Sequence, residues 1–232
     1  MNRPLSPALA ASLALLVLAS PAMAQEATPS SWSFALGAAT DNRSKDVSKT
    51  LTEGHIFGSA TWESADGRFY AGPAFEGVRG NGADVEARFT AGFTPEAYGY
   101  EFDFNIAYLN RLDAEAGYDQ DGWELEANVS RSIGPATGAF QVQYSPDAAG
   151  SATSFVWVEA KLGWDFTNRL SGSAAVGRRE QNGGPDYTGW NAGLTLGLTN
   201  ALDLDVRYYD TNAHDQGRQY RDGLVAEVSY AF

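Results

Sequence analysis

Across residues 32–232 the chain repeats short runs in which apolar and polar residues alternate with a period of two. Such alternation is typical of β-strands with two unlike faces, whereas helical periodicity is nearly absent. In the fifth run, for example, Phe102 and Phe104 alternate with Glu101 and Asp103, so one face is apolar and the other is ionic. Twelve strands are predicted, at approximately 31–40, 54–63, 68–78, 83–93, 99–109, 122–133, 138–145, 154–165, 169–179, 188–198, 202–210 and 222–232.

The connections between these runs alternate between short and long. The short ones carry turn-forming residues and fall at 65–67, 94–96, 134–136, 167–168 and 199–200. The others are mostly longer, at 41–53, 79–82, 110–121, 146–153, 180–187 and 211–221. Outer-membrane barrels have short periplasmic turns and longer outer loops. The pattern therefore predicts an all-β fold, a transmembrane antiparallel up-and-down β-barrel of about twelve strands.

The first residues predict a cleaved signal peptide. Asn2 and Arg3 form a positive start, an apolar run follows at 8–19, and Ala22-Met23-Ala24 supplies the small-x-small cleavage pattern. The apolar run is shorter than the roughly 20 residues of a spanning helix, and no second candidate follows it. The expected organisation is a signal peptide over residues 1–24 and one barrel domain over 25–232.

Composition limits the partners and the means of stabilisation. Residues 25–232 lack Arg3, so 15 basic residues face 29 acidic ones, a net charge of −14 that argues against nucleic acid as a partner. The sequence has no cysteine, so disulfides and thiolate metal sites are excluded even though export is predicted. Strand pairing and packing must hold the fold together, and no metal or cofactor is expected.

Alternation alone does not say which face meets lipid, and aromatic residues near the strand ends decide it. Such rings are typical of the two membrane interfaces. The predicted girdle residues are Trp32, Trp62, Phe69, Phe93, Tyr100, Tyr108, Trp123, Tyr144, Phe155, Trp164, Trp190 and Tyr208. Tyr230 and the final Phe232 resemble the signal that the barrel-assembly machinery reads in outer-membrane proteins. The apolar face is therefore predicted to point outward.

The ionic face then points inward and is the candidate functional surface. By strand parity it holds eleven acids and four bases, namely Glu76, Asp84, Glu86, Glu101, Asp103, Glu124, Glu126, Glu159, Asp203, Asp205 and Glu227 with Arg88, Lys161, Arg179 and Arg207. A water-filled interior of this charge would line a pore that favours cations. In the alternative interpretation the acids and bases pair into a plug, since twelve strands lie between filled eight-stranded barrels and open sixteen-stranded porins.

Several segments resemble one family. The run Thr40-Asp41-Asn42-Arg43-Ser44-Lys45-Asp46-Val47-Ser48 is similar to the first loop of the TorF family of small proteobacterial outer-membrane porins, and later landmarks match at 69–72, 123–125, 144–147 and 208–211. The sequence departs from the family at Asn42, where Tyr is usual, and at Asp46, where Gly is usual. The resemblance implies an outer-membrane location and a porin function, and it supplies no catalytic residues.

Two alternatives to a porin are considered. One is a closed barrel with a structural or surface-interaction role. The other is an outer-membrane lipid hydrolase, which needs a serine near a histidine; only His55 and His214 exist, and Ser59 lies roughly 13 Å along the strand from His55. The sequence thus favours a non-enzymatic channel for small hydrophilic solutes. Its other expected partners are outer-membrane lipid, the barrel-assembly machinery and lipopolysaccharide, whose phosphates Lys45, Lys49, Arg218 and Arg221 could meet.

Overall fold

The computed structural model describes residues 30–80, 82–150 and 152–232, and the predicted signal peptide lies outside these ranges. Twelve strands form the barrel wall: β1 (Ser31–Ala39), β2 (His55–Glu63), β3 (Phe69–Gly80), β4 (Ala83–Phe93), β5 (Tyr100–Leu112), β6 (Asp121–Ile133), β7 (Ala136–Asp147), β8 (Ser154–Asp165), β9 (Leu170–Asn182), β10 (Tyr187–Gly197), β11 (Leu202–Thr211) and β12 (Gly223–Ala231). Within the described ranges, no helix is long and apolar enough to cross a membrane.

Each strand pairs antiparallel with its neighbours in the chain, and β1 pairs with β12, where Ala35 lies opposite Ala231. The last pairing closes the sheet, so the predicted twelve-stranded antiparallel barrel is confirmed. Closure matters because an open edge in hydrocarbon would leave backbone amides and carbonyls without partners. The start of β1, the end of β12 and the short turns lie at one end of the barrel, called here the turn end; the longer connections lie at the other, the loop end.

Several connections contain short strands or 3₁₀ turns. In the first outer connection, residues 40–54 and called loop 1 here, Arg43–Ser44 and Val47–Ser48 form a two-stranded hairpin. Glu96–Ala97 adds a short strand in the turn before β5. The last outer loop holds two 3₁₀ turns, His214–Gln216 and Arg218–Tyr220. Loop 1 is the connection that shapes the interior.

The outer face carries an apolar belt between two rows of aromatic rings. In β5, Phe104 lies on the belt, between Tyr100 at the turn end and Tyr108 at the loop end. Tyr108 contacts Trp123 at 5.1 Å between ring centroids, and Phe69 contacts Phe93 at 4.9 Å. So large an exposed apolar surface is stable only against lipid.

One residue assigned to the aromatic girdle does not belong to it. Phe155 lies on the inner face of β8, opposite Ser145 of β7, and is buried. Its position near a strand end suggested an interfacial ring, but its parity matches that of the inner-face residue Glu159. The prediction for Phe155 is therefore wrong, and this ring forms part of the interior instead.

The two faces of β5 give a direct test of the barrel's orientation. Phe104→Arg places a charge in the lipid belt and is expected to lower the free energy of unfolding by about 2–4 kcal/mol. Asn105→Arg is the matched control, because Asn105 lies on the inner face opposite Glu126 and is expected to cost far less. Urea titrations of the refolded proteins in lipid would measure both. Equal losses for the two variants would contradict the assignment of the faces.

Candidate functional site

The strand register places all fifteen residues predicted for the interior on the inner face of the wall. Those nearest the loop end are Glu76, Asp84, Glu86, Arg88, Glu124 and Arg179. Those nearer the turn end are Glu101, Asp103, Glu126, Glu159, Lys161, Asp203, Asp205, Arg207 and Glu227. Asp84 stands at the rim, with 72% of its side chain exposed and a 2.5 Å contact with Arg79.

Loop 1 turns into the mouth of the barrel instead of extending outward. Asp41, Asn42, Arg43 and Asp46 are all buried although each is strongly polar. Buried groups of this kind require hydrogen-bonding partners, and the loop supplies many of them itself. The Asp41 carboxylate accepts hydrogen bonds from Arg43 Nε at 2.6 Å, and from the hydroxyls of Ser48 at 2.5 Å and Thr50 at 2.7 Å.

The tip of loop 1 is a two-residue turn in the left-handed region. Lys45 has φ 52° and Asp46 has φ 65°, and the flanking Ser44 and Val47 pair with each other. Hairpins of this type favour residues that tolerate positive φ, glycine and asparagine or aspartate among them. Asp46 fits this turn and adds a buried carboxylate to the loop.

The lysines of loop 1 neutralise acids of the wall near the loop end. Lys49 forms ion pairs with Glu76 and with Glu86, the latter at 2.7 Å. Lys45 lies 3.5 Å from Glu124. The expectation that these two lysines face lipopolysaccharide is therefore wrong. Strand alternation gives no sign that either lysine lies in the interior, because both belong to an outer loop.

Two arginines of the wall complete this ionic network. Arg88 contacts Glu124 at 2.5 Å, and Arg111 contacts Glu86 at 3.1 Å. Gln143 also donates to Glu124, at 2.7 Å. Arg111 was missed although its parity is that of Glu101 and Asp103, since the predicted strand ended at residue 109. The network joins β3, β4, β5, β6 and β7 to loop 1.

On the opposite side of the bore, loop 1 contacts β10. Asn191 donates to the Asp46 carboxylate at 2.7 Å, and the Tyr187 hydroxyl donates to the Lys45 carbonyl at 2.7 Å. A Cβ atom on Gly189 would lie 2.5 Å from Oδ2 of Asp46, so only glycine allows this approach. Since β4 and β10 stand six strands apart in a ring of twelve, loop 1 spans the mouth.

Burial shifts the proton affinities of loop 1. Desolvation raises the pKa of Asp46 to about 7, and the hydrogen bond from Asn191 and the charges of Arg43 and Arg207 only partly oppose it. Oδ2 of Asp46 has no hydrogen-bond partner among the described residues, which suits a protonated carboxyl. For Lys49, burial acts to lower the pKa, but the carboxylates of Glu76 and Glu86 outweigh it and the pKa is raised.

A cavity of about 430 Å³ lies at the loop end, bounded by loop 1, the inner wall and the outer loops. Its charged lining residues are Lys45, Lys49, Arg79, Arg111 and Arg179 with Glu86, Glu124 and Asp147. Basic groups therefore outnumber acids here, the reverse of the wall nearer the turn end. This cavity lies at the mouth of the barrel, beside loop 1.

Among the described residues, neither histidine is arranged with a serine for hydrolysis. His55 is buried on the inner face of β2, and its Nδ1 has no hydrogen-bond partner in the described part of the chain. His214 Nε2 contacts the Asp210 carboxylate at 2.5 Å in the last outer loop. The two histidines thus lie in different places, and the part of the chain that the structure describes forms no triad around either.

The chain belongs to a bacterial family described as "Bacterial protein of unknown function (Gcw_chp)", whose model matches residues 23–230. Comparison with curated proteins gives no match. The fold is similar to that of the KdgM porin, with a TM-score of 0.58, 6% identity and coverage of 86% of this chain and 98% of KdgM. KdgM in complex with disordered oligogalacturonate has a TM-score of 0.59 at 7% identity, covering 86% of this chain and 99% of KdgM. The NanC porin has a TM-score of 0.57 at 7% identity, covering 87% of this chain and 99% of NanC.

Loop 1 docking depends on Lys49, and a substitution tests this. Lys49→Gln leaves Glu76 and Glu86 without their shared cation, at an expected cost of about 3 kcal/mol to docking. Hydrogen-exchange protection over residues 42–50 should fall by about a hundredfold. Arg79→Gln is the control, because Arg79 reaches Glu53 of loop 1 at 3.5 Å with 52% of its side chain exposed and should matter little. Equal protection in both variants would refute the ionic anchoring.

Docking should also depend on pH through Asp46. Its pKa rises from 3.8 to about 7 on docking, so between these values the docked loop holds a proton that the free loop does not. Docking therefore weakens as pH rises through this window. We expect lower protection factors over residues 42–50 at pH 8 than at pH 5.5. Asp46→Asn should abolish the difference, and a pH effect that persists in this variant would assign it to another group.

Proposed function

We propose that the protein is a porin-like channel of a Gram-negative outer membrane, through which small hydrophilic solutes diffuse without an enzymatic step. The observation that carries this proposal is a closed barrel with an ionic inner face and an apolar outer belt. A dry interior would not tolerate so many carboxylates, since each buried charge needs a partner or water. The likeness to KdgM and NanC supports the same barrel architecture.

The inner wall nearer the turn end supports a preference for cations. Of the nine interior residues assigned there, seven are acids and only Lys161 and Arg207 are bases. Arg207 contacts Asp205 at 3.3 Å, and Asp103 and Glu126 accept hydrogen bonds from the neutral groups of Tyr70 and Asn128. The excess of acids over bases would attract hydrated cations if water fills this segment.

A second candidate is a closed barrel with a structural or surface-interaction role. Loop 1 favours it, because this loop spans the mouth and pairs with walls on both sides. If the bore is stably plugged, the outer loops would be the surface that interacts with partners. The lipid hydrolase is not proposed, since neither His55 nor His214 has a serine partner among the described residues.

The cellular route follows from the same proposal. Residues 1–24 would direct export and be removed, leaving residues 25–232 as the barrel domain. Tyr230 and Phe232 would be read by the assembly machinery; Phe232 exchanges backbone hydrogen bonds with Phe34, and both aromatic rings lie on the outer face. Lipid would cover the apolar belt, and lipopolysaccharide would surround the outer loops. The resemblance to the TorF family supports the same location.

Single-channel recording in a planar bilayer with a salt gradient tests the porin proposal. We expect discrete conductance steps and a reversal potential on the cation side. Glu126→Gln with Glu159→Gln should move the reversal potential towards zero, because both acids lie on the inner wall. Glu53→Gln with Glu180→Gln is the control, since these side chains are 59% and 70% exposed outside the bore. A folded but silent barrel would refute the proposal in favour of the closed barrel.

A further inference from the structure

The cavity at the loop end contains one cation that the ionic network does not use. Lys45, Lys49, Arg79 and Arg111 each contact a carboxylate. Arg179 contacts none within 4.0 Å among the residues that the structure describes, and its Nε has no hydrogen-bond partner there. A half-buried guanidinium in a concave site without a counter-ion is unusual, since charges removed from water are normally paired.

The surroundings of Arg179 hold its side chain in place. Its guanidinium carbon lies 4.1 Å from the ring centroid of Phe155, and Lys45 Nζ lies 4.7 Å from the same centroid. Both distances are within the range of cation–π interaction. Two positively charged groups therefore lie against Phe155, and among the described residues the one carboxylate within 4.0 Å of either is that of Glu124, 3.5 Å from Lys45.

The lowered pKa of Lys45 is consistent with several positive charges lying close to it. Burial lowers the pKa of Lys45, and the charges of Arg179, Arg88 and Lys49 lower it further against the opposing effect of Glu124. An additional negative group between Lys45 and Arg179 would relieve this repulsion. The cavity of about 430 Å³ has room for a small organic molecule beside them.

We propose that the cavity binds a small hydrophilic organic anion, whose carboxylate is held by the Arg179 guanidinium with help from Lys45. The planar guanidinium matches a carboxylate through two parallel hydrogen bonds. The role of this site in solute uptake rests on the proposed channel function, but binding itself does not. The site and the acidic wall lie at different depths, so anion capture at the mouth is compatible with a cation preference of the bore.

Calorimetric titration of the refolded, full-length barrel tests the site without requiring conduction. Glucuronate and glucose form the probe pair, because they differ by a carboxylate in place of a hydroxymethyl group. We expect glucuronate to bind and glucose to give no heat at the same concentrations. Glucose 6-phosphate extends the series: tighter binding of this probe would assign the site to phosphates and overturn the carboxylate assignment.

Substitutions of two neighbouring arginines on β9 test whether the anion binds at Arg179. Arg179→Gln should weaken glucuronate binding about tenfold or more, since it removes a charged donor without leaving a carboxylate unpaired. Arg178→Gln is the matched control, because Arg178 is the next residue and lies on the outer face near Glu180 and Asp186, both 3.8 Å away. Arg179→Lys keeps the charge and should restore part of the affinity.

The outcomes separate this inference from the channel proposal. Equal affinities in the Arg178 and Arg179 variants, or equal binding of glucose and glucuronate, would overturn the anion site even if the barrel conducts. Glucuronate binding that depends on Arg179 in a barrel without conductance would support the site and refute the channel. Migration of the folded and heat-denatured forms on a gel would verify that each variant is folded.

Discussion

The constraint on which the structure depends is that a sheet in hydrocarbon must have no free edge. An unpaired backbone group costs several kcal/mol in lipid, so the pairing of β1 with β12 is as necessary as any pairing between consecutive strands. Closure then fixes a second property. Every strand has one face towards lipid and one towards the bore, and the alternation of apolar and ionic residues follows from it.

Closure also creates the electrostatic problem that loop 1 helps to solve. Acids of several strands are brought together at the loop end, where Glu76 lies opposite Glu86 and Glu124 stands two strands away. Arg88 and Arg111 of the strands contact Glu124 and Glu86, and Lys45 and Lys49 arrive from the loop to contact the same two acids. Nearer the turn end, acids outnumber bases among the described wall residues, and the excess of carboxylates persists. Bases therefore outnumber acids around the cavity at the loop end, whereas acids outnumber bases on the wall nearer the turn end.

The sequence predicts the features that depend on local pattern. Strand parity put residues such as Glu101 and Glu126 on the inner face, because alternation in a strand is set by neighbours in the chain. Phe155 lies near a strand end, which predicts an interfacial ring, but its parity places it on the inner face, where it is buried. Its true role, beside Arg179 and Lys45, joins β8, β9 and loop 1 and has no local signature.

The path of loop 1 depends on contacts between residues far apart in the chain. Asp46 meets Asn191 across 145 residues, and Lys49 meets Glu86 across 37. No periodicity encodes such pairs. Lys45 and Asp46 form a left-handed turn with φ 52° and 65°, and the strand alternation predicts neither this bend nor its direction into the bore.

The most direct test is whether loop 1 constricts the bore. Residues 43–48 would be replaced by a glycine-serine segment of equal length, which removes Lys45, Asp46 and the hairpin while keeping the connection between β1 and β2. Unitary conductance would be compared with that of the intact barrel in the same bilayer. The structure predicts a clear rise in conductance for the variant. Identical conductance in the two proteins would contradict a loop that spans the mouth.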